Sequence, residues 1–286
     1  MSVPPVTVSD LVKDIDGLVT LPDVFMRISR LIDDPNSSSN DIAQAISQDP
    51  SFTIRLLRIA NSSMFSFPSS VTTVAKAVAI IGTSQIRSIA LSMSVAKSFA
   101  GLPNDLVSMH NFWRHSLFCG LIARLLARKV RGCDPDSVFT AGLLHDIGEL
   151  VIFNRLPKEA EAALLMVLDS QDEVQVHEAE QEVIGLDHAE VGGELAKQWH
   201  LPPLLEECIR YHHNPAGASQ YAKAAALVHI ANVLAMMAEV DSLELDDFSP
   251  IDPAAWAQAG LDEGCIEAVV REAQAEIKEV EQLFAE

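Results

Sequence analysis

Apolar residues recur at three- and four-residue spacing along most of this chain, and period-2 alternation is scarce. "DVFMRISRLID" (Asp23–Asp33) carries Val24, Ile28, Leu31 and Ile32 on one helical stripe and stops at the loop "DDPNSSSN". Asn40 reads as the N-cap of "DIAQAISQ", and Pro50 opens "PSFTIRLLRIA". "MFSFPSSV" is a connector, and "TTVAKAVAIIG" is a Thr-capped helix ended by Gly82. "TSQIRSIALSMSVAKSFAGL" is the next helix. A long helix over Phe112–Val130 begins the second part. After the turn "GCDPDS", Asp136 or Ser137 caps a helix running to about Asn154, and another follows Pro157. "GLDHAEVGGELAKQW" starts with Asp187 as N-cap and Glu190 completing a capping box. "PPLLEECIRYHH" ends at "NP", and "SQYAKAAALVHIANVLAMMAEV" is strongly apolar. The acidic turn region "DSLELDDFSPID" precedes a short helix from Asp252 and Pro253 to Gly260. The last helix, from about Glu263, has Ile266, Val269, Val270, Ala273, Ile277, Val280 and Phe284 on one stripe. The first ten residues are Pro/Val/Ser-rich and read as loose. The expectation is an all-α multi-helix bundle of two parts, 1–103 and 104–286.

Composition adds a core and a charge asymmetry. Of 286 residues, 49% are hydrophobic, enough to bury a sizeable interior. The formal net charge of −20 makes nucleic acid an unlikely partner unless charge is segregated. It is segregated: residues 1–100 hold eight Lys/Arg and eight Asp/Glu, and residues 101–286 hold twelve and thirty-two. Ser51–Ala100 has no acid, only Arg55, Arg58, Lys76, Arg87 and Lys97. That segment faces an acidic partner or the acidic half of its own chain. Apart from Phe65 and Phe67 it lacks the interleaved aromatics that would support a nucleic-acid reading. Cys119, Cys133, Cys208 and Cys265 lack CxxC spacing and read as reduced thiols. With neither a signal-peptide pattern nor an uncharged span of ~20 apolar residues, a cytoplasmic protein without a membrane partner is expected.

All nine histidines follow residue 101. His115 lies early in a helix, His145 and Asp146 sit side by side in an apolar stretch, His188 opens a helix, and His212 and His213 close one. Adjacent His and Asp on a helix point about a quarter-turn apart, so the pair can serve two metals or bridge them. Imidazole with carboxylate suits Fe, Mn, Ni or Zn as one or two divalent ions. Open positions on such ions would activate water for phosphate-ester hydrolysis. His110, His177, His200 and His229 read as structural, with His177 in an acidic exposed stretch and His200 ending a helix, where a cation suits the dipole.

The order H…HD…H…HH resembles the HD superfamily of metal-dependent phosphohydrolases, and the sequence is similar to its HDOD branch. The likeness runs from about Leu21 to Val240, through "LPDVFMRISRLIDDP", "ISQDPSFTIRLLRIANSSMF", "FWRHSLFCGLIARLLA", "TAGLLHDIGELVI" and "LVHIANVLA". It implies an N-terminal helical subdomain packed on an HD-like core, with His115, His145, Asp146, His188, His212 and His213 as metal ligands. Catalytic HD enzymes generally carry a further metal-binding Asp in the apolar helix after the HH pair, where this chain has Asn232. Their cyclic-di-GMP phosphodiesterase branch has "HDIGK" and "HHE", against which Glu149 and Asn214 stand here. HDOD proteins are typically regulatory modules that lost catalysis. The resemblance therefore implies a bacterial signalling module, largely non-catalytic and acting on other signalling proteins, with a retained metal site. The competing reading is a metal-dependent phosphohydrolase of a nucleotide or cyclic nucleotide. The last apolar stripe either closes the core or pairs with a second copy in a homodimer.

Overall fold

The computed structural model describes residues 7–13, 23–61, 70–99, 107–170, 174–244 and 251–280. The connector Met64–Ser69, the expected division at 103/104, and Glu281 and Phe284 lie outside them. The described residues form helices and turns with no strand. Contacts divide the chain into two compact units, Met1–Val19 with Gly101–Ala273, and Thr20–Ala100 with Gln274–Glu286. Neither unit is contiguous in sequence, unlike the expected segments 1–103 and 104–286.

The smaller unit contains α2 (Asp23–Asp33), α3 (Ser39–Ser47), α4 (Pro50–Ala60), α5 (Val74–Ile81) and α6 (Thr83–Phe99). Ile28, Ile46, Leu56 and Ile86 are fully buried, each burial stabilising by roughly 1.5–3 kcal/mol. The N-cap of α3 is Ser38, not Asn40. Ser38 Oγ accepts from Asp41 N at 3.3 Å, and the Asp41 carboxylate accepts from Ser38 N at 2.8 Å. This reciprocal pair satisfies two helix-end N–H groups at once, which Asn40 cannot do. Asp49 caps α4, and Thr73 and Gly82 bound α5 as the pattern requires.

The larger unit begins with α1 (Val8–Val12). The expectation of loose chain over the first ten residues fails from Val8 onward. Thr7 caps the turn, and Leu11 and Val12 bury against α9 (Ile147–Arg155) and α12 (His188–Gln198). Its core is α7 (Met109–Lys129), α8 (Pro135–Leu144) and α14 (Ala222–Glu239), where Leu117, Leu121, Val138, Leu227 and Leu234 are fully buried. The backbones of α7 and α8 nearly touch: a Cβ on Gly142 would lie 3.0 Å from Gly120 Cα. α14 has the length and hydropathy of a membrane span, but 72% of it is buried in this core. α10 (Pro157–Asp169), α11 (Val176–Val183), α13 (Pro203–Tyr211) and α15 (Pro253–Ala259) complete its helices, and α16 (Ile266–Val280) belongs to it as far as Ala273. On α16, Ile266, Val269, Val270, Ala273 and Ile277 are buried within the single chain.

The expected continuous helix to Asn154 is two helices. Its cap is Asp134, ahead of Pro135, and it breaks at His145–Asp146. Asp146 leaves helical geometry at φ −95°, ψ 11°, and its carbonyl accepts from Glu149 N at 2.9 Å. The apolar periodicity continues across the break because both halves face the same core, so the pattern alone does not reveal it.

Candidate metal centre

The break changes what His145 and Asp146 do. On a straight helix their side chains would diverge. Across the turn they converge, with His145 Nε2 2.8 Å from Asp146 Oδ2. α7 brings His115 Nε2 to 3.7 Å from the same oxygen. The other carboxylate oxygen, Oδ1, lies 3.5 Å from Nε2 of His188, the first residue of α12, and 3.4 Å from Nε2 of His212, just past α13. His213 Nε2 lies 2.9 Å from His188 Nε2. Asp146 therefore stands between two donor groups, His115–His145 and His188–His212–His213. The close approach of α9 to α12 depends on Gly148, where a Cβ would fall 1.9 Å from His188 O and 2.6 Å from Gly192 N.

Three imidazoles are held from behind. His145 Nδ1 donates to Gly142 O and His212 Nδ1 to Ile209 O, each at 2.7 Å. His188 Nδ1 lies 2.7 Å from Glu180 Oε2. Once Nδ1 donates outward, the neutral ring presents a bare lone pair at Nε2. The Nε2 atoms of His145 and His212 are buried without a well-formed hydrogen bond, and both face a carboxylate that also offers only lone pairs. A cation resolves that conflict. A divalent ion with bonds of ~2.1 Å sets neighbouring donors about 3.0–3.4 Å apart, close to the separations found. Nitrogen and oxygen donors with outward-bonded histidines have the chemistry of a divalent-metal site.

Protonation follows the same logic. Burial opposes protonating His145, but Asp146 beside it raises its pKa well above the usual range. Burial likewise opposes a charged His188, while Glu180, Glu149 and Asp146 raise it to about 10. His212 is pushed down to about 4 by burial and by His145 and His188, against its contact with Asp146. Burial works to raise Asp146, yet the imidazoles, His145 foremost, hold it well below the carboxylate range. Burial and the charge of Asp146 raise Glu149 to about 7. A proton is the smallest cation that relieves such a cluster, and a bound metal would have to displace it.

Asn232 and Glu149 lie at the centre, but Asn214 does not touch it in the described contacts. Asn232 Oδ1 is 2.9 Å from His115 Nε2, and Glu239 Oε2 is 3.1 Å from His115 Nδ1. Both nitrogens of His115 thus face oxygen, which favours its cationic form: burial opposes the charge, but Glu239 and Asp146 raise its pKa. Among the histidines read as structural, His229 is one, with Nδ1 donating to His212 O at 2.7 Å and Nε2 accepting from Asp252 N at 3.1 Å. His110 and His200 are exposed, and His200 takes a left-handed φ of 53° after α12. His177 belongs to α11, not to an exposed stretch, and its ring stacks on His213 at 3.9 Å and 15°. Glu180 and Glu239 have no signal in the sequence. Both are single acids in acid-rich segments, indistinguishable there from solvated neighbours.

An all-helical core that gathers histidines from four elements around one shared aspartate defines a protein of the HD superfamily type. Residues 18–215 match the model of the HDOD domain, and the chain belongs to that family. A structure from Shewanella amazonensis SB2B named "Putative phosphohydrolase" superposes with a TM-score of 0.76 at 26% identity, covering 96% of this chain and 98% of that one. An HDOD domain protein with unknown function from Geobacter sulfurreducens gives 0.73 at 26% identity, over 93% of this chain and 92% of the other. An uncharacterized protein of Treponema pallidum (strain Nichols) is 27% identical over 222 residues, 77% of this chain but 42% of that protein's length.

Proposed function

We propose that this chain is a regulatory HDOD module of bacterial signalling, acting in the cytoplasm on other signalling proteins. In this reading its HD-type centre holds a divalent ion and does not turn over a phosphate ester. The observation that carries it is the contact of Asn232 Oδ1 with His115 Nε2 at 2.9 Å. A neutral amide occupies the histidine nitrogen that would face an ion in the His115–His145 half. The His188–His212–His213 half, with Asp146, keeps four donors free of such a competitor, so one ion, Fe, Mn, Ni or Zn, is held there more firmly than a second. When bound, such an ion would lower the pKa of its water. The chain's own charges then work against a phosphate substrate. Asp146, Glu149, Glu180 and Glu239 surround the histidines, and Arg114 is engaged with Glu239 at 3.6 Å.

The sharing of Asp146 between two donor groups favours the other reading, a metal-dependent phosphohydrolase acting on a nucleotide or cyclic nucleotide. Protein reconstituted with each of the four metals, assayed on bis-p-nitrophenyl phosphate and on cyclic dinucleotides, decides between them. The expected result is stoichiometric metal, lost in His212→Ala, with no turnover. Metal-dependent hydrolysis that His145→Ala abolishes would establish the enzyme instead.

A further inference from the structure

Each imidazole facing Asp146 from α8, α12 and α13 has an outward partner that fixes its ring. Two of those partners are carbonyls of the ligand's own preceding turn, Gly142 O and Ile209 O. Local backbone delivers them at no cost from elsewhere in the fold. His188 and His213 are different. His188 opens its helix and has no preceding turn, and the described contacts of His213 Nδ1 include no hydrogen bond. Both are served by one short element, α11, through residues three apart and therefore on one face.

Glu180 is buried to 1% exposure, and its Oε2 accepts from His188 at both Nδ1, 2.7 Å, and the backbone N, 2.9 Å. One carboxylate thus sets the ring's tautomer and caps the first turn of α12. A buried carboxylate costs several kcal/mol unless paired, so this placement requires His188 as a strong donor. His177 lies face to face with His213, and its own Nδ1 is buried without a hydrogen-bond partner. Among its described contacts, the stack on His213 is what orients the ring. α11 itself is fixed by a capping box between Gln175 and Glu178 and by packing on α10.

We propose that α11 is a positioning clamp, in which Glu180 orients His188 and the face of His177 orients His213, and that it sets how tightly the His188–His212–His213 half holds a divalent ion. The proposal rests on the metal reading above. Neither residue is a ligand in it. Glu180 acts through His188, making that nitrogen a better donor, and His177 acts as an aromatic surface.

The test is titration of chelator-stripped full-length protein with Mn²⁺ and Zn²⁺ against a chromophoric chelator, with the Co²⁺ absorption spectrum and the metal-free melting curve recorded in parallel. Glu180→Gln keeps the shape and an accepting oxygen but loses the charge. It is expected to weaken the ion about 10–100-fold, the usual effect of losing an outer-shell partner, with a metal-free melting curve near wild type. His177→Ala is expected to weaken the ion and shift the Co²⁺ bands, His177→Phe to restore both, and the exposed Glu182→Ala to change neither. Wild-type affinity in both Glu180→Gln and His177→Ala overturns the clamp while leaving the metal reading intact, and His177→Phe as weak as His177→Ala overturns the stacking role. A wild-type chain that takes up no ion overturns both readings together.

Discussion

Gly148→Ala tests whether the approach of α9 to α12 builds the centre. The added Cβ would lie 1.9 Å from His188 O, 2.6 Å from Gly192 N and 2.8 Å from His188 C. All three are backbone atoms, so no side chain can turn aside. Carbon and oxygen approach no closer than about 3.3 Å in ordinary packing, so the helices must part by roughly 1.4 Å there. Alanine is favoured over glycine inside a helix by up to ~1 kcal/mol, which alone would stabilise the variant. Overpacking of a filled interior costs about 1–3 kcal/mol, occasionally more, and here the contact is backbone on backbone, so the clash wins. A domain of this size loses ~2–4 °C per kcal/mol, so the metal-free melting temperature is expected to fall by about 2–12 °C. The displaced residue is His188 itself, and metal sites tolerate only ~0.2 Å in ligand distance. Ion affinity should therefore drop by more than the ~10–100-fold of a lost outer-shell partner. Differential scanning calorimetry and chelator competition on the same preparation measure both. A variant that melts at or above wild type and binds the ion equally well would refute the reasoning.

Saturating divalent ion should raise the melting temperature, by about 2.7 kcal/mol of stability at a hundredfold excess over Kd, and His212→Ala should erase the shift in a thermal-shift assay with and without EDTA. Asn232→Asp replaces the amide on His115 Nε2 with an ionised ligand and should raise metal stoichiometry toward two, measured by elemental analysis after desalting; unchanged stoichiometry would mean that the amide is not what limits the second position. Burial and Asp146 raise Glu149 from 4.5 to about 7, so the folded chain binds the extra proton. Stability from this group is present below pH 4.5 and is lost as pH rises through 7, by up to about 3 kcal/mol. Glu149→Gln should stabilise chelated protein at pH 8, with the gain shrinking toward pH 5; an equal gain at both would refute the assignment. Truncation at Gly260 removes a stripe that includes the fully buried Val269, Val270 and Ala273 and should lower the melting temperature.

Apolar spacing and caps made most helices legible in the sequence, because a helix that buries one face must repeat near 3.6 residues and must satisfy its first N–H groups locally. Asp187 and Pro203, Asp252 and Gly260 mark real ends for that reason. The six ligand candidates were legible as residue types at intervals, and the family resemblance ordered them. What the pattern missed is local or long-range in a definite way. The Ser38 box won over Asn40 because it satisfies two groups. The α8–α9 break is invisible because both halves bury the same kind of face. α11 hides in an acidic stretch whose buried face includes Glu180, a charged residue that periodicity counts as solvent.

The sequence by itself determined an all-α chain, the residues capable of holding a metal, and the acidic character of the segment that bears them. Only the tertiary structure decided that His145 and Asp146 converge, that Asp146 lies between two histidine groups, and that Glu180, His177, Asn232 and Glu239 surround them. The physical reason is that helix formation depends on neighbours three and four residues away, whereas a carboxylate's partner is whatever the packing brings within 3 Å. Glu180 and His188 are eight residues apart and His115 and Glu239 are 124 apart, and no periodicity connects either pair.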